Sequence, residues 1–262
     1  MSRRKCCWSG SGREGSDMLP DTLLNDYAEK FFGFGSWNAR IWFVGIEEAG
    51  GWEKKDVKNR LDAWEHRGRL DLEDAPSFYP ASGNDRWHGA APVLQATWKQ
   101  LIRILLVARG KPDSDDAILD YQRHHLGRAK GREYLAELLP LPSPSSTTWN
   151  YRDWSDLPWL QSRSHYQNHV LLGRAHSLQQ KLEQSRPRVV IFYASSWHRI
   201  WGIIARGAWT QAIQGQLMGM ERNGTSFYVT RHPRTETDAY FRKIGSFLRE
   251  RHGRQERHGR GL

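Results

Sequence analysis

Short apolar runs alternate with amphipathic segments along this chain, and that alternation constrains its fold more than any other feature. Apolar runs begin at residues 40, 133, 188 and 225. Helical periodicity predicts helices at residues 20–33, 54–68, 93–110, 115–126, 164–187, from 198 onward, and at 237–251. Strands separated by helices in this way predict an α/β fold with a mostly parallel central sheet.

Two segments depart from the alternation. Residues 72–92 are rich in proline and glycine and predict a loop, whereas residues 215–229 predict a hairpin that ends in the last strand. The chain has 262 residues. Residues 19–250 therefore suffice for a single domain with a substantial core.

The charge favours a polyanionic partner. The formal net charge is +10, which makes nucleic acid the first expectation. Both ends are basic and glycine-rich, so residues 1–18 and 251–262 are predicted to be a flexible arm and a flexible tail. The chain has 13 Trp, which would mostly fill the core, although such rings also stack on bases.

Cysteine usage and hydropathy exclude several classes of protein. Cys6 and Cys7 are the only cysteines, too few for a disulfide framework or an iron-sulfur cluster, and they favour a reducing compartment. No apolar run approaches the ~20 residues that span a membrane. The start has no signal-peptide pattern, so we expect a cytoplasmic protein.

Polar residues follow the predicted strands where their carboxyl ends would meet. Glu47 and Glu48 follow the first strand, after Gly45, and His232 follows the last, before a proline. A carboxylate there could orient water, and the imidazole could donate to a ligand. The alternatives are two solvated turn carboxylates and a loop histidine without a task.

Other strand-end residues also admit two interpretations. Glu137 lies within the second apolar run, where it either faces a partner or points outward, and Ser143 follows in the exit loop. Ser195 and Ser196 precede a helix, where they either cap it or help to bind phosphate.

Several motifs are absent from the sequence. We find no metal-ligand spacing, because His124 and His125 would face different sides of a helix, and we expect neither metal nor cofactor. There is no Walker loop, no GxGxxG fingerprint and no GxSxG elbow.

Taken in order, the strand-end loops resemble those of the uracil-DNA glycosylase superfamily. Gly45-Ile46-Glu47-Glu48-Ala49 is similar in place to the family's first motif, and His232-Pro233-Arg234 to its HPS motif. The segment LAELLPLPSP is similar to the strand that carries a base-reading Asn, with Glu137 near that position. Glu47 replaces Asp or Asn, Glu48 replaces proline and Arg234 replaces serine, so the resemblance is to a divergent bacterial branch.

The resemblance implies a three-layer α/β/α fold with a short parallel sheet, acting on DNA as a monomer. It implies that an extruded base is removed by hydrolysis, leaving an abasic site. Glu47 or Glu48 would position water, and His232 would donate to the departing base. The residues that the resemblance implies to contact the base are Gly45, Ile46, Phe78, Tyr79, Trp87 and Glu137. Those that it implies to contact the rest of the DNA are Ser143, Ser195, Ser196, Arg231 and Arg234.

The substrate hypothesis depends on Glu137. An ionised glutamate only accepts hydrogen bonds, which suits the N4 amino group of cytosine better than O4 of uracil. We therefore expect a cytosine-type modified base, as in superfamily-like enzymes that act on phage DNA. Uracil excision, a non-catalytic nucleic-acid-binding module and a hydrolase acting on nucleotides remain alternatives.

Overall fold

The computed structural model describes residues 18–256, with side chains to residue 252. Residues 1–17 of the predicted arm, with Cys6 and Cys7, and the last six residues of the predicted tail lie outside the described residues. The helices are α1 Asp21–Lys30, α2 Lys54–His66, α3 Ala75–Ala81, α4 Ala96–Ala108, α5 Asp115–His124, α6 Arg163–Ser185, α7 His198–Ala205 and α8 Asp238–Glu256. The strands are β1 Gly33–Phe34, β2 Ile41–Ala49, β3 Leu72–Glu73, β4 Glu133–Ser143, β5 Val189–Tyr193, β6 Thr210–Ile213, β7 Leu217–Arg222 and β8 Thr225–Thr230.

All eight of these strands form one mixed sheet in the order β3-β1-β4-β2-β5-β8-β7-β6. The four central strands, β4-β2-β5-β8, are parallel, while β1, β7 and β6 pair antiparallel with their inner neighbours. The predicted α/β class is confirmed, but the expectation of a short sheet is wrong because edge strands extend it on both sides.

Helices pack on both faces of the sheet. This is required because successive apolar side chains of β2 point to opposite faces. Ile41 and Phe43 belong to the core beneath α1, α2, α4 and α8. Trp42 and Val44 belong to the opposite core, which α7 and the C-terminal half of α6 cover. Trp42, Trp64 and Trp201 are fully buried, so much of the tryptophan surplus fills these cores.

Most predicted elements are present, but β1 and β6 were not predicted and several bounds differ. The hairpin is confirmed as β7 and β8. The first strand does not end at residue 44 but continues to Ala49, so Glu47 and Glu48 lie within it. The predicted loop at 72–92 contains β3 and α3, and α8 continues past the predicted domain limit to Glu256.

The pairing of β2 with β4 becomes irregular towards its carboxyl end. Gly45 pairs with Glu137 and Glu47 pairs with Leu139, but Ala49 pairs with Ser143, so β4 has extra residues there. Two of them are prolines, which have no N–H to donate to a ladder. Bulges of this kind separate neighbouring strands locally and often lie beside functional sites.

Candidate active site

A cavity of about 500 Å³ lies at the carboxyl ends of the parallel strands. Eight of the residues predicted for the site line it: Glu47, Glu48, Tyr79, Trp87, Glu137, Ser143, His232 and Arg234. They come from β2, β4, the loop after β8 and the segment that follows β3. The topology therefore brings together residues up to 187 positions apart in the chain, between Glu47 and Arg234.

Gly45 is required by the close approach of two side chains. A Cβ at this position would lie 2.2 Å from Glu137 Oε2 and 2.3 Å from Tyr193 Cε2. Tyr193 ends β5, and its hydroxyl donates to Glu137 Oε1 at 2.6 Å. The absence of a side chain at Gly45 thus leaves the space that this hydrogen-bonded pair occupies. The sequence analysis had instead predicted that Gly45 contacts the base.

Burial raises the pKa of Glu137 to about 8, with smaller contributions from the charges of Glu48 and Glu47, and the Tyr193 hydrogen bond opposes the shift. At neutral pH the carboxyl group is therefore predominantly protonated. Its Oε2 is buried and has no hydrogen-bond partner within the described chain. This raised pKa is inconsistent with the premise that Glu137 only accepts hydrogen bonds, because the neutral acid can also donate one.

Glu47 faces an arginine that the sequence analysis did not select. Arg163, at the start of α6, donates to Glu47 Oε2 at 2.6 Å. The other carboxylate oxygen, Oε1, is buried and has no partner among the described residues. Burial raises the pKa of Glu47, and the hydrogen bond and charge of Arg163 oppose that rise.

Arg163 is itself held in place by the exit loop of β4. Its guanidinium donates to Ser143 Oγ and to the Thr148 carbonyl, the latter at 3.3 Å, and lies 5.3 Å from the Trp149 ring centroid. Ser143 is buried and its hydroxyl is occupied by this network, so the structure does not leave it free for the predicted contact with DNA.

Glu48 is held through one of its carboxylate oxygens. Its Oε1 accepts from Arg60 at 2.7 Å and from the Tyr79 hydroxyl at 3.0 Å. Arg60 is almost buried and also donates to Tyr27 at 3.2 Å. Adjacent glutamates thus have different surroundings: Glu48 joins β2 to α2 and α3, whereas Glu47 retains an unpartnered oxygen.

His232 has a defined tautomer in its neutral form. The Arg234 amide donates to His232 Nδ1 at 3.2 Å, so the proton of a neutral ring must lie on Nε2. Burial lowers the pKa of His232, and the charge of Arg234 lowers it further. The ring centroid lies 6.1 Å from that of Tyr193, which places a neutral N–H donor near the Glu137 pair.

The aromatic candidates have different surroundings. Phe78 is fully buried and packs against Phe31 and Phe34, so it does not line the cavity and the prediction that it contacts a base is wrong. Tyr79 and Trp87 do line it. So does Trp52, which follows the glycine pair after β2 and is 69% exposed, and which sequence reasoning missed.

Four other predicted contacts lie away from the cavity lining. Ile46 packs against both cores. Ser195 and Ser196 form a short turn before α7 and neither caps that helix. Arg231 is paired with Glu236 at 2.5 Å and donates to the Gly215 carbonyl.

The missed residues carried weak sequence signals. Arg163 and Arg60 look like ordinary helix-surface arginines, and Tyr193 looks like one more apolar residue of a strand. Only the strand order places Tyr193 beside Gly45, because β5 pairs with β2.

Within residues 18–252, no group of three or more His, Cys, Asp or Glu side chains is placed to hold a metal ion. No helix in the described part of the chain is long and apolar enough to cross a membrane. No protein-family model matches this chain, and comparison with curated proteins found no significant match.

Proposed function

We propose that this protein is a monofunctional DNA N-glycosylase, a divergent relative of the uracil-DNA glycosylase superfamily that acts as a cytoplasmic monomer. One observation carries the proposal: the same strand-end cavity contains Glu47, a carboxylate that has a buried oxygen without a partner among the described residues, and His232, a neutral hydrogen-bond donor. These two groups are what hydrolysis of a base–sugar bond needs on its opposite sides.

Glu47 is the residue that holds the water. Its Oε1 is buried and has no partner among the described residues, whereas Arg60 and Tyr79 hold Glu48 in place through its Oε1. Water bound to Oε1 would attack the sugar C1′, and its proton would pass to the carboxylate. The Arg163 hydrogen bond fixes the carboxylate orientation. Before the proton is transferred, the negative charge of Glu47 would stabilise the oxocarbenium-like sugar.

His232 stabilises the leaving group. As the N-glycosidic bond breaks, its electron pair leaves with the base, and the neutral Nε2–H can donate to the resulting base anion. A lowered pKa suits this role, because the ring stays neutral at physiological pH and keeps the tautomer fixed by Arg234.

Glu137 reads the Watson–Crick edge of the base. Because it is predominantly neutral, it can donate from one oxygen and accept at the other, much as an amide does. A cytosine-type modified base remains a proposed substrate. The neutral acid favours uracil as a second candidate, because a donor at this position suits a carbonyl oxygen such as O4.

Aromatic and basic side chains at the cavity mouth are suited to DNA. Trp52 is exposed there, Arg86 lies 4.6 Å from the Trp87 ring centroid, and Arg234 also lines the cavity. Exposed aromatic rings stack on unpaired bases, and arginines neutralise phosphates. These residues would hold the strand from which the base is extruded.

The test is an abasic-site assay. Duplexes containing uracil, cytosine or a bulky modified cytosine are incubated with the wild type and then treated with alkali. Alkali-labile strands for one base, and none for the others, would establish the activity and its substrate. Salt-sensitive duplex binding without release of any base would instead identify a non-catalytic DNA-binding protein, and release from mononucleotides alone would indicate a nucleotide hydrolase.

A further inference from the structure

A second and larger cavity, of about 810 Å³, lies beside the amino end of β4. It shares no lining residue with the candidate active site. Glu133 begins β4 within this cavity, while Ser143, at the other end of the strand, lines the first one. Leu135, two residues after Glu133, also lines the first cavity, so the two cavities lie near one another along β4. The proposed hydrolysis nevertheless uses none of the residues that line the second cavity.

Its lining is rich in cations. The cationic and imidazole side chains are Arg109, Lys111, Arg128, Lys130, Arg132, His124 and His125, and the carboxylates are Asp74, Asp120 and Glu133. The two adjacent histidines are those that the sequence analysis set aside as a metal site.

Protein groups already engage all three carboxylates. Glu133 is buried and accepts from Arg109 at 2.7 Å and from the Tyr121 hydroxyl at 2.6 Å. Asp74 accepts from the Ala129 amide at 2.9 Å, and Asp120 lies 3.0 Å from His124. These acids consequently organise the walls of the cavity and neutralise only part of its positive charge.

The cationic side chains of the second cavity differ in their exposure and in their hydrogen-bond partners. Lys111 and Lys130 are exposed at the cavity. Arg109 has a buried Nε with no hydrogen-bond partner within the described residues. An unpaired buried guanidinium N–H is costly, and an anionic ligand is the partner that would satisfy it best.

The loop between α5 and β4 concentrates these charges. Its sequence, GRAKGR at residues 127–132, places a cation at every second position. Gly127 has φ +65°, and the Gly131 amide closes a turn onto the Arg128 carbonyl at 2.7 Å. Glycine-bounded turns carrying cations are well suited to bind phosphate oxygens.

An apolar wall is formed by other lining residues, Leu106, Pro112, Ala117 and Tyr121. The volume falls within the range of about 300–1,000 Å³ that is usual for small-molecule sites. We propose that this second cavity binds a phosphate-bearing ligand of nucleotide size, with the phosphates at loop 127–132 and the base against the apolar wall. The source is either a free nucleotide or the 5′-phosphorylated end of a strand.

Calorimetric titration of the full chain tests the proposal with three probes: a nucleoside triphosphate, a short oligonucleotide with a 5′-phosphate, and the same oligonucleotide with a 5′-hydroxyl. Lys130→Glu replaces a cavity cation with a carboxylate. Lys55→Glu makes the same change at an exposed site on α2 that lines neither cavity.

We expect Lys130→Glu to weaken binding of the phosphorylated probe at least about tenfold, and Lys55→Glu to change it less than about twofold. Tight binding of the triphosphate identifies a free nucleotide. Preference for the 5′-phosphate over the 5′-hydroxyl strand, without triphosphate binding, identifies a strand end.

Absence of binding of all three probes at about 1 mM would overturn the proposal. The proposal would also be overturned if Lys130→Glu left binding of the phosphorylated probe unchanged. It would equally be overturned if the triphosphate did not bind and the 5′-hydroxyl oligonucleotide bound as tightly as the 5′-phosphorylated one. The readout is independent of base release, so its failure would not bear on the proposed glycosylase activity.

Discussion

The neighbouring strands β2 and β4 both bring glutamates to the first cavity, but with different partners. On β2, Glu47 faces Arg163 at 2.6 Å and Glu48 faces Arg60 at 2.7 Å. On β4, the only side-chain partner of Glu137 within the described residues is the Tyr193 hydroxyl, at 2.6 Å. A cationic partner favours the charged carboxylate, whereas burial beside a neutral hydroxyl favours the protonated acid.

This difference divides the chemistry between the two strands. The carboxylates of β2 are suited to hold water and stabilise positive charge, and the neutral acid of β4 is suited to recognise a base by hydrogen bonding. The same side chain can therefore perform two roles in one cavity, because the groups opposite it differ. Four predictions test this comparison.

The largest effect is expected for Glu47→Gln. If Glu47 acts as general base, single-turnover release of the base should fall about 10²- to 10⁴-fold, with DNA binding retained. Alkaline cleavage of labelled duplex measures the rate. Glu53→Gln, an exposed glutamate shortly after β2, should act like the wild type. Loss of activity in Glu48→Gln but not in Glu47→Gln would assign the water to Glu48.

Glu48→Gln should mainly affect stability. Removing its charge leaves Arg60, which is 8% exposed, without its carboxylate partner. We expect the free energy of unfolding to fall by about 3 kcal/mol, measured by urea denaturation. Glu65→Gln, which removes an exposed pair with Arg69, should change the free energy of unfolding far less, because solvent screens that pair. Equal effects of the two substitutions would contradict the importance of the Glu48 pair.

Gly45→Ala should disturb the Glu137–Tyr193 pair directly. The added methyl group would overlap both side chains, so we expect a loss of about 1–3 kcal/mol in unfolding free energy, as for other overpacked sites. Gly173→Ala, on α6, is the matched control, because its Cβ meets nothing within 4 Å. That substitution should stabilise the helix by about 0.5–1 kcal/mol. An unperturbed Gly45→Ala protein would show that the pair can move aside.

Per pH unit, the smallest effect is a pH dependence from Glu137. Its pKa is raised from 4.5 to about 8 in the fold, so between these values the folded state binds more protons than the unfolded state. Stability should therefore fall as pH rises through that window, by at most about 1.4 kcal/mol per pH unit. Glu137→Gln should remove this contribution in urea titrations between pH 5 and 8. A wild-type and mutant difference that stays constant over that range would mean that Glu137 is ionised throughout.

Several features of the fold could be predicted because their causes are local. The periodicity of α4 and α6 and the turn residues of the β7–β8 hairpin specify their own conformations. The location of Glu47, Glu137 and His232 at one edge of the sheet could also be predicted from the sequence, because parallel strands align their carboxyl ends. The first strand was predicted too short because its polar end, which includes both glutamates, lacks the apolar pattern of a buried strand.

The partners of the site could not be predicted. Arg163 lies 116 residues from Glu47 in sequence, and Tyr193 lies 56 residues from Glu137. No periodicity or local motif relates such distant positions. The raised pKa of Glu137 could not be predicted for the same reason, since the protonation state depends on burial and on neighbouring charges that only the packed chain defines.

The sequence by itself determined the α/β class, the alternation of helices and strands, and the placement of polar residues at the ends of the central strands. These depend on interactions among residues close together along the chain. Only the tertiary structure decided which glutamate is paired, which is neutral, and where the basic loop 127–132 forms a cavity wall. Those properties arise from electrostatic and packing interactions between distant segments, whose strength depends on a separation that exists only in the folded state.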